Sequence, residues 1–149
     1  MIKWVNDIYI DGKKVCGILC ESFTAQERRF IAVGIGINLY TTDFPEELCG
    51  VAASVCPDGE ARNLCASKIA DRLLEYKTAR TRAEAMEYYR AHSLALGRKI
   101  KFTDNGDWVS AVVRSIDDIG RLEVALEDGS RKLLASGEIS LRLDDAKES

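Results

Sequence analysis

Asp11-Gly12 stands between two runs in which apolar and polar residues alternate, Trp4 to Ile10 and Val15 to Leu19. That dipeptide supplies the positive φ angles a tight primed turn needs, so the segment is predicted to be a β-hairpin with Asp11 and Gly12 at its tip. With that turn, Ile10 pairs with Lys13, Tyr9 with Lys14 and Asp7 with Cys16. Side-chain alternation then puts Asp7, Tyr9 and Lys14 on one face. Asp7 and Lys14 become diagonal neighbours roughly 7–8 Å apart at the backbone, within reach of a shared ligand.

Arg29 to Leu39 reads as a third strand with unequal faces. Ile31, Val33, Ile35, Ile37 and Leu39 form a bulky aliphatic side; Phe30, Ala32, Gly34, Gly36 and Asn38 form the other. Glycine inside a strand weakens it and marks a place where a ligand or another backbone comes close. Gly34-x-Gly36 lacks the third glycine and following helix of a dinucleotide fingerprint, so a Rossmann site is rejected. Residues 40–60 read as loop, punctuated by Pro45, Pro57 and Asp58-Gly59. Cys65, Ile69, Leu73 and Tyr76 recur at helical spacing and predict a helix over 61–79. Thr81 and Glu84 have the spacing of a capping box that opens a second helix, with Met86, Tyr89 and Leu94 as its apolar stripe and Gly97 as its end. Beyond Gly97 the pattern changes to short strands at 99–102, 108–116, 121–126, 130–134 and 139–143. They are separated by Asp104-Asn105-Gly106-Asp107, Asp118-Ile119-Gly120, Asp128-Gly129 and Ser136-Gly137, the pattern of a small barrel or sandwich.

Composition narrows the function. Of the 149 residues 46% are hydrophobic, and 21 basic against 24 acidic residues give a net charge of −3, so no basic patch argues for nucleic acid. No apolar run is long enough to span a bilayer, and membrane partners are not expected. The five cysteines are odd in number and contain no Cys-x-x-Cys pair, which points to a reducing cytoplasm. Cys16 and Cys20, four residues apart on one strand, are about 13 Å apart and do not chelate one ion. A single histidine, His92, excludes Ser-His-Asp, Cys-His and multi-histidine metal chemistry for the chain acting alone.

Four segments together resemble the biotin protein ligases: Lys3-Trp4-Val5-Asn6-Asp7, Lys14-Val15-Cys16-Gly17-Ile18-Leu19-Cys20-Glu21, Gly34-Ile35-Gly36-Ile37-Asn38 and Ser136-Gly137-Glu138-Ile139-Ser140-Leu141-Arg142. The resemblance implies an α+β fold: part of a class II synthetase-like catalytic sheet with two helices over 1–96, an SH3-like β-barrel over 97–143 and a tail at 144–149. It implies ATP-dependent activation of biotin to biotinyl-5'-AMP and transfer to a lysine of a biotin carboxyl carrier protein, with ATP, Mg²⁺ and biotin as the small molecules.

By the same resemblance Lys14 meets the biotin carboxylate and adenylate phosphate, and Asp7 serves the incoming amine. Lys3 assists at the ATP phosphates; Asn6 and Asn38 contact the nucleotide, Asn6 also being the candidate for Mg²⁺-ATP. Gly17, Gly34 and Gly36 border the ligand, and Arg142 faces it from the second domain. Trp4 either stacks on nucleotide or packs in a core. The family's Gly-Arg-Gly-Arg-x-Gly loop does not occur in these residues, nor does a helix-turn-helix. The sequence therefore leaves three readings open: the C-terminal part of a ligase that needs an N-terminal half to act, a non-catalytic nucleotide-binding or interaction module derived from one, or a decayed fragment with no activity. Self-association through uncovered sheet edges is expected.

Overall fold

The computed structural model describes residues 1–55, 62–79, 81–137 and 139–141. The chain divides into two compact units: an N-terminal unit of Met1 and Asn6–Arg80, and a C-terminal unit of Ile2–Val5 and Thr81–Ser149. The second helix and residues 2–5 thus group with the C-terminal strands, whereas the sequence reading divides the chain at 96/97.

In the N-terminal unit, β2 (Asp7–Ile10) and β3 (Lys13–Ala25) form the predicted hairpin, and Asp11 (φ 49°) and Gly12 (φ 76°) are both left-handed at its tip. Ile10 pairs with Lys13 and Tyr9 with Lys14, as expected. The expected Asp7–Cys16 pair is corrected: Ile8 pairs with Cys16 and Asp7 with Gly17, because a β-bulge adds one residue to β3 at Val15. β3 then runs on to a second tight turn, where Gln26 (φ 49°) and Glu27 (φ 61°) lead into β4 (Arg28–Ile37). In this antiparallel ladder Gly17 faces Gly36 and Leu19 faces Gly34. Helix α1 (Arg62–Ala79) follows the loop. Its Cys65, Ile69 and Leu73 and the aliphatic face of β4 line a groove of about 360 Å³. Tyr76's side chain, the Asp58-Gly59 turn and the tail lie outside the described residues.

The C-terminal unit contains β1 (Ile2–Lys3), α2 (Arg82–Ala91) and five antiparallel strands: β5 (Lys99–Asp104), β6 (Asp107–Ile116), β7 (Leu122–Leu126), β8 (Arg131–Leu134) and β9 (Ile139–Leu141). Their order is β8-β7-β6-β5-β9. No β8–β9 pairing closes the sheet among the described residues. Alternation along β5, β6 and β7 sends Ile100, Phe102, Ala111, Val113, Leu122 and Val124 into one core, joined by Trp4, Leu134 and Ile139. Met86 and Tyr89 of α2 pack against it.

The Thr81–Glu84 capping box is present: the Glu84 N–H donates to Thr81 Oγ1, and the Thr81 N–H donates to the Glu84 carboxylate at 2.8 Å. The expectation that this helix continues to Gly97 is corrected. It ends at Ala91 with His92 as its C-cap, because the next residues pair with β1: the Ile2 N–H donates to His92 O at 2.7 Å, and the Leu94 N–H donates to Ile2 O at 2.8 Å.

Candidate functional site

Lys14 and Asp7 meet on one face of the N-terminal sheet, Nζ to Oδ1 at 2.8 Å, with side chains 42% and 21% exposed. The hairpin register brings them together, since Tyr9 pairs with Lys14 and Asp7 lies two residues from Tyr9 on the same face. The bulge at Val15 then sets Gly17, in place of Cys16, opposite Asp7 on that side of the sheet, and the buried Val15 and Cys16 anchor the strand beneath. Gly17 forms the floor under the pair. A Cβ there would fall 3.3 Å from Asp7 Oδ1 and 3.5 Å from both Cε and Nζ of Lys14, so the absence of a side chain is what lets the pair lie flat on the strand.

Gly34 and Gly36 continue this face. The closest atoms to a Cβ at either position are main-chain carbonyl oxygens of β3, 3.8 Å away, so the surface beside the ion pair is bare backbone open to a ligand. Tyr9 borders the pair on the same face; its phenol is pushed up by partial burial and by the charge of Asp7, partly offset by Lys14, so it keeps its proton at neutral pH. The Cys16 thiol is likewise held up, by burial first and then by Asp7, and is not a nucleophile there.

The two asparagines bracket the bulge. Asn6 donates its side-chain amide to Ile18 O, and the Ile18 N–H donates back to Asn6 O at 2.9 Å, which leaves the Asn6 Oδ1 as the atom it can offer a ligand. Asn38 donates through Nδ2 to Lys14 O at 3.5 Å and through its backbone N–H to Val15 O at 2.9 Å. Asp7, Lys14, Asn6, Asn38, Gly17, Gly34 and Gly36 therefore all lie on the elements of the N-terminal unit.

Lys3 and Trp4 belong to the C-terminal unit. Trp4 is 3% exposed and its indole N–H donates to Gly120 O at 2.8 Å, so of its two alternatives the structure shows packing. Arg142 lies outside the described residues. Sequence reasoning missed Val51–Ala53, which bonds to the main chain of Lys14: the Lys14 N–H donates to Val51 O at 2.8 Å and the Ala53 N–H to Lys14 O at 3.0 Å. Two small residues and a valine in a loop give no signal of that role.

Residues 95–142 match the family described as biotin protein ligase C terminal domain, and residues 1–38 match the biotin/lipoate A/B protein ligase family. The chain belongs to the biotin protein ligase family. It is 35% identical over 143 residues to the biotin--[acetyl-CoA-carboxylase] ligase of Mycobacterium tuberculosis, a match over 91% of this chain and 50% of that protein. It is 32% identical over 149 residues to the bifunctional ligase/repressor BirA of Bacillus spizizenii, covering 91% of this chain and 44% of the relative. Among solved structures, the biotin protein ligase from Aquifex aeolicus in complex with biotin and ATP superposes with a TM-score of 0.70 at 28% identity, over 95% of this chain and 61% of that one. The chain spans about half the length of the curated relatives it matches.

Proposed function

We propose that the N-terminal unit carries part of the active surface of a biotin protein ligase, which activates biotin with ATP as biotinyl-5'-AMP and passes the biotinyl group to a lysine of a biotin carboxyl carrier protein. The observation that carries this reading is the Lys14–Asp7 pair laid on a glycine floor, in a chain whose structural relative is a ligase complexed with biotin and ATP. In the first step a biotin carboxylate oxygen attacks the α-phosphorus and pyrophosphate leaves. Negative charge gathers on the phosphoryl oxygens, and a positioned cation at Lys14 stabilises it more in the transition state than in the ground state. In the second step the carrier amine attacks the acyl carbon, AMP leaves, and a proton must leave the nitrogen. Asp7, released from Lys14 when that lysine turns to the phosphate, is the carboxylate placed to accept it.

Asn6 and Asn38 fit as nucleotide contacts, and the bare strand at Gly34 and Gly36 fits the close approach of biotin. Among the described residues no three His, Cys, Asp or Glu side chains group as metal ligands. Magnesium would therefore be carried mainly by the nucleotide phosphates, with Asn6 Oδ1 as the protein contact. The C-terminal assignments of Lys3 to the ATP phosphates and Arg142 to the ligand are part of the same proposal. So are the division into a catalytic portion and an SH3-like domain, self-association, and a cytoplasmic setting. Val15 and Cys16 are the buried apolar side chains of the described N-terminal unit, which supports a need for the remaining half of the ligase in catalysis.

The test is single-turnover kinetics on the chain supplemented with the N-terminal half of a ligase. Lys14→Ala is expected to lower adenylate formation by about 100-fold, while Asp7→Asn leaves adenylation in place and slows transfer. Unchanged adenylation in Lys14→Ala sinks the assignment. Full biotinylation by the chain alone overturns the need for a second half, and failure of the supplemented chain to bind biotinyl-adenylate favours the interaction module.

A further inference from the structure

The β3–β4 ladder ends at the Cys16–Ile37 pair and does not reach Lys14, two residues earlier on β3. From there the place beside β3 is taken by Val51–Ala53, which runs parallel to it and bridges Lys14 at Ala52. Both main-chain groups of Lys14 are bonded to this segment, its N–H to Val51 O at 2.8 Å and its carbonyl to the Ala53 N–H at 3.0 Å. Asn38 adds its Nδ2 to the same carbonyl and is itself tied to the segment, since the Val55 N–H donates to Asn38 O at 2.8 Å. The segment spends little on packing: Val51 is 53% exposed, and its neighbours are alanines. Its bonds go to Lys14, the residue directly before the bulge, and to Asn38, which bonds to Lys14 in turn.

A bulge leaves ladder groups unpaired and can slide to a neighbouring residue unless those groups are satisfied elsewhere. We propose that residues 51–55 and Asn38 form a positioning segment that locks the bulge at Val15 and so aims Lys14 at Asp7 and the ligand. The inference rests on the reading of Lys14 given above for its functional consequence, but its structural half can be measured without it. Without the segment, the bulge is free to migrate, Lys14 leaves the face of Gly17, and the cation is no longer held where charge develops.

The experiment compares acetylation of Lys14 with that of exposed Lys13 by peptide mapping, in the wild type, in Ala53→Pro, which removes the N–H bonded to Lys14, and in Ala53→Gly, which keeps it. The Lys14:Lys13 ratio is expected to rise about threefold in Ala53→Pro as the ion pair loosens, and to stay at the wild-type value in Ala53→Gly. Closure of buried Cys16 to maleimide shows that the sheet is intact. If Ala53→Pro opens Cys16, Asn38→Ala decides in its place, again with an expected rise. An unchanged ratio in the intact variant overturns the proposal. With the supplemented enzyme, Ala53→Pro is expected to weaken binding of a non-hydrolysable biotinyl-adenylate analogue about tenfold, and Ala53→Gly is expected to restore it. Wild-type affinity in a variant whose labelling ratio has risen refutes the functional half of the proposal. Absence of analogue binding by the wild type refutes the ligase reading and leaves the labelling ratio to judge the segment.

Discussion

The C-terminal unit closes its sheet face over side chains that are almost wholly out of water, with Val113, Leu122 and Val124 at 0% exposure and Ile100 and Ile139 at 2% and 1%. The N-terminal unit has a longer hairpin and far less interior: Leu19, Phe23, Phe30, Ile31 and Val33 are all exposed, and Phe23 stacks on Phe30 in solvent at 5.5 Å. Hydrophobic burial is the main favourable term in folding, so one unit holds the stability and the other presents an uncovered apolar sheet carrying an ion pair. The difference separates what the two halves of the chain are for: the first offers surface and charge, the second offers a rigid core.

The largest expected effect follows from that contrast. Leu122→Ala deletes a fully buried side chain among Phe102, Val113 and Val124 and should cost about 3 kcal/mol, read as a drop in the C-terminal melting transition. Ile35→Ala removes an equally large aliphatic from the half-buried groove face of β4 and should cost about 1 kcal/mol or less. Equal costs would mean that the N-terminal sheet face is covered in solution, and the comparison would fail.

Where a residue announces its own backbone requirement, the sequence was readable. Asp11-Gly12 placed the first hairpin and its pairing up to Lys14, and Thr81 with Glu84 placed the start of α2. The five C-terminal strands fell between glycine-marked turns, whose Gly106, Gly120, Gly129 and Gly137 all have positive φ. What escaped depends on partners distant in the chain. Gln26-Glu27 adopts the same left-handed turn as Asp11-Gly12, yet neither residue type signals positive φ, and the long extension of β3 went unread. The bulge at Val15 is fixed by Val51, Ala53 and Asn38, none of them adjacent to it. α2 stops at Ala91 because Ile2 captures the next residues, and no local pattern records that competition.

Gly17 tests the N-terminal side of the comparison on a smaller scale. Gly17→Ala keeps a strand conformation open to any residue, but its Cβ would crowd Asp7 Oδ1 at 3.3 Å. Relief requires a shift of a few tenths of an ångström in the carboxylate. Stability should change by less than about 1 kcal/mol, as for other exposed ion pairs, while transfer of the biotinyl group in the supplemented ligase slows and adenylation changes less. Unaltered transfer would show that Asp7 does not need the bare floor.

The smallest effects should come from pH, with an acid loss in the C-terminal unit and an alkaline loss in both. In the C-terminal unit, Asp117 is partly desolvated, which raises its pKa, but hydrogen bonds from the Arg121 backbone and guanidinium and from the Ile119 N–H outweigh this and hold it low. Glu123 is held low by Ser115 and Arg131, and Asp128 by Ser130. A carboxylate with a lowered folded value binds fewer protons folded than unfolded. Its stabilisation is therefore present above the unfolded values near 4 and is lost as pH falls through the folded ones. In the N-terminal unit Cys16 and Tyr9 are raised from 9.0 and 10.0, chiefly by burial, so their contribution is complete below those values and is lost as pH climbs past them. Tyr89, pushed up to about 12 by burial with its hydroxyl donating to Val5 O at 2.9 Å, adds a similar alkaline loss in the C-terminal unit between pH 10 and about 12. Amide exchange followed separately in the two units should show acid loosening β6–β8 first, reduced in Glu123→Gln, which removes one of the three carboxylates. Acid loosening that begins in β2–β4, or a Glu123→Gln profile identical to the wild type, would assign acid sensitivity to groups other than these.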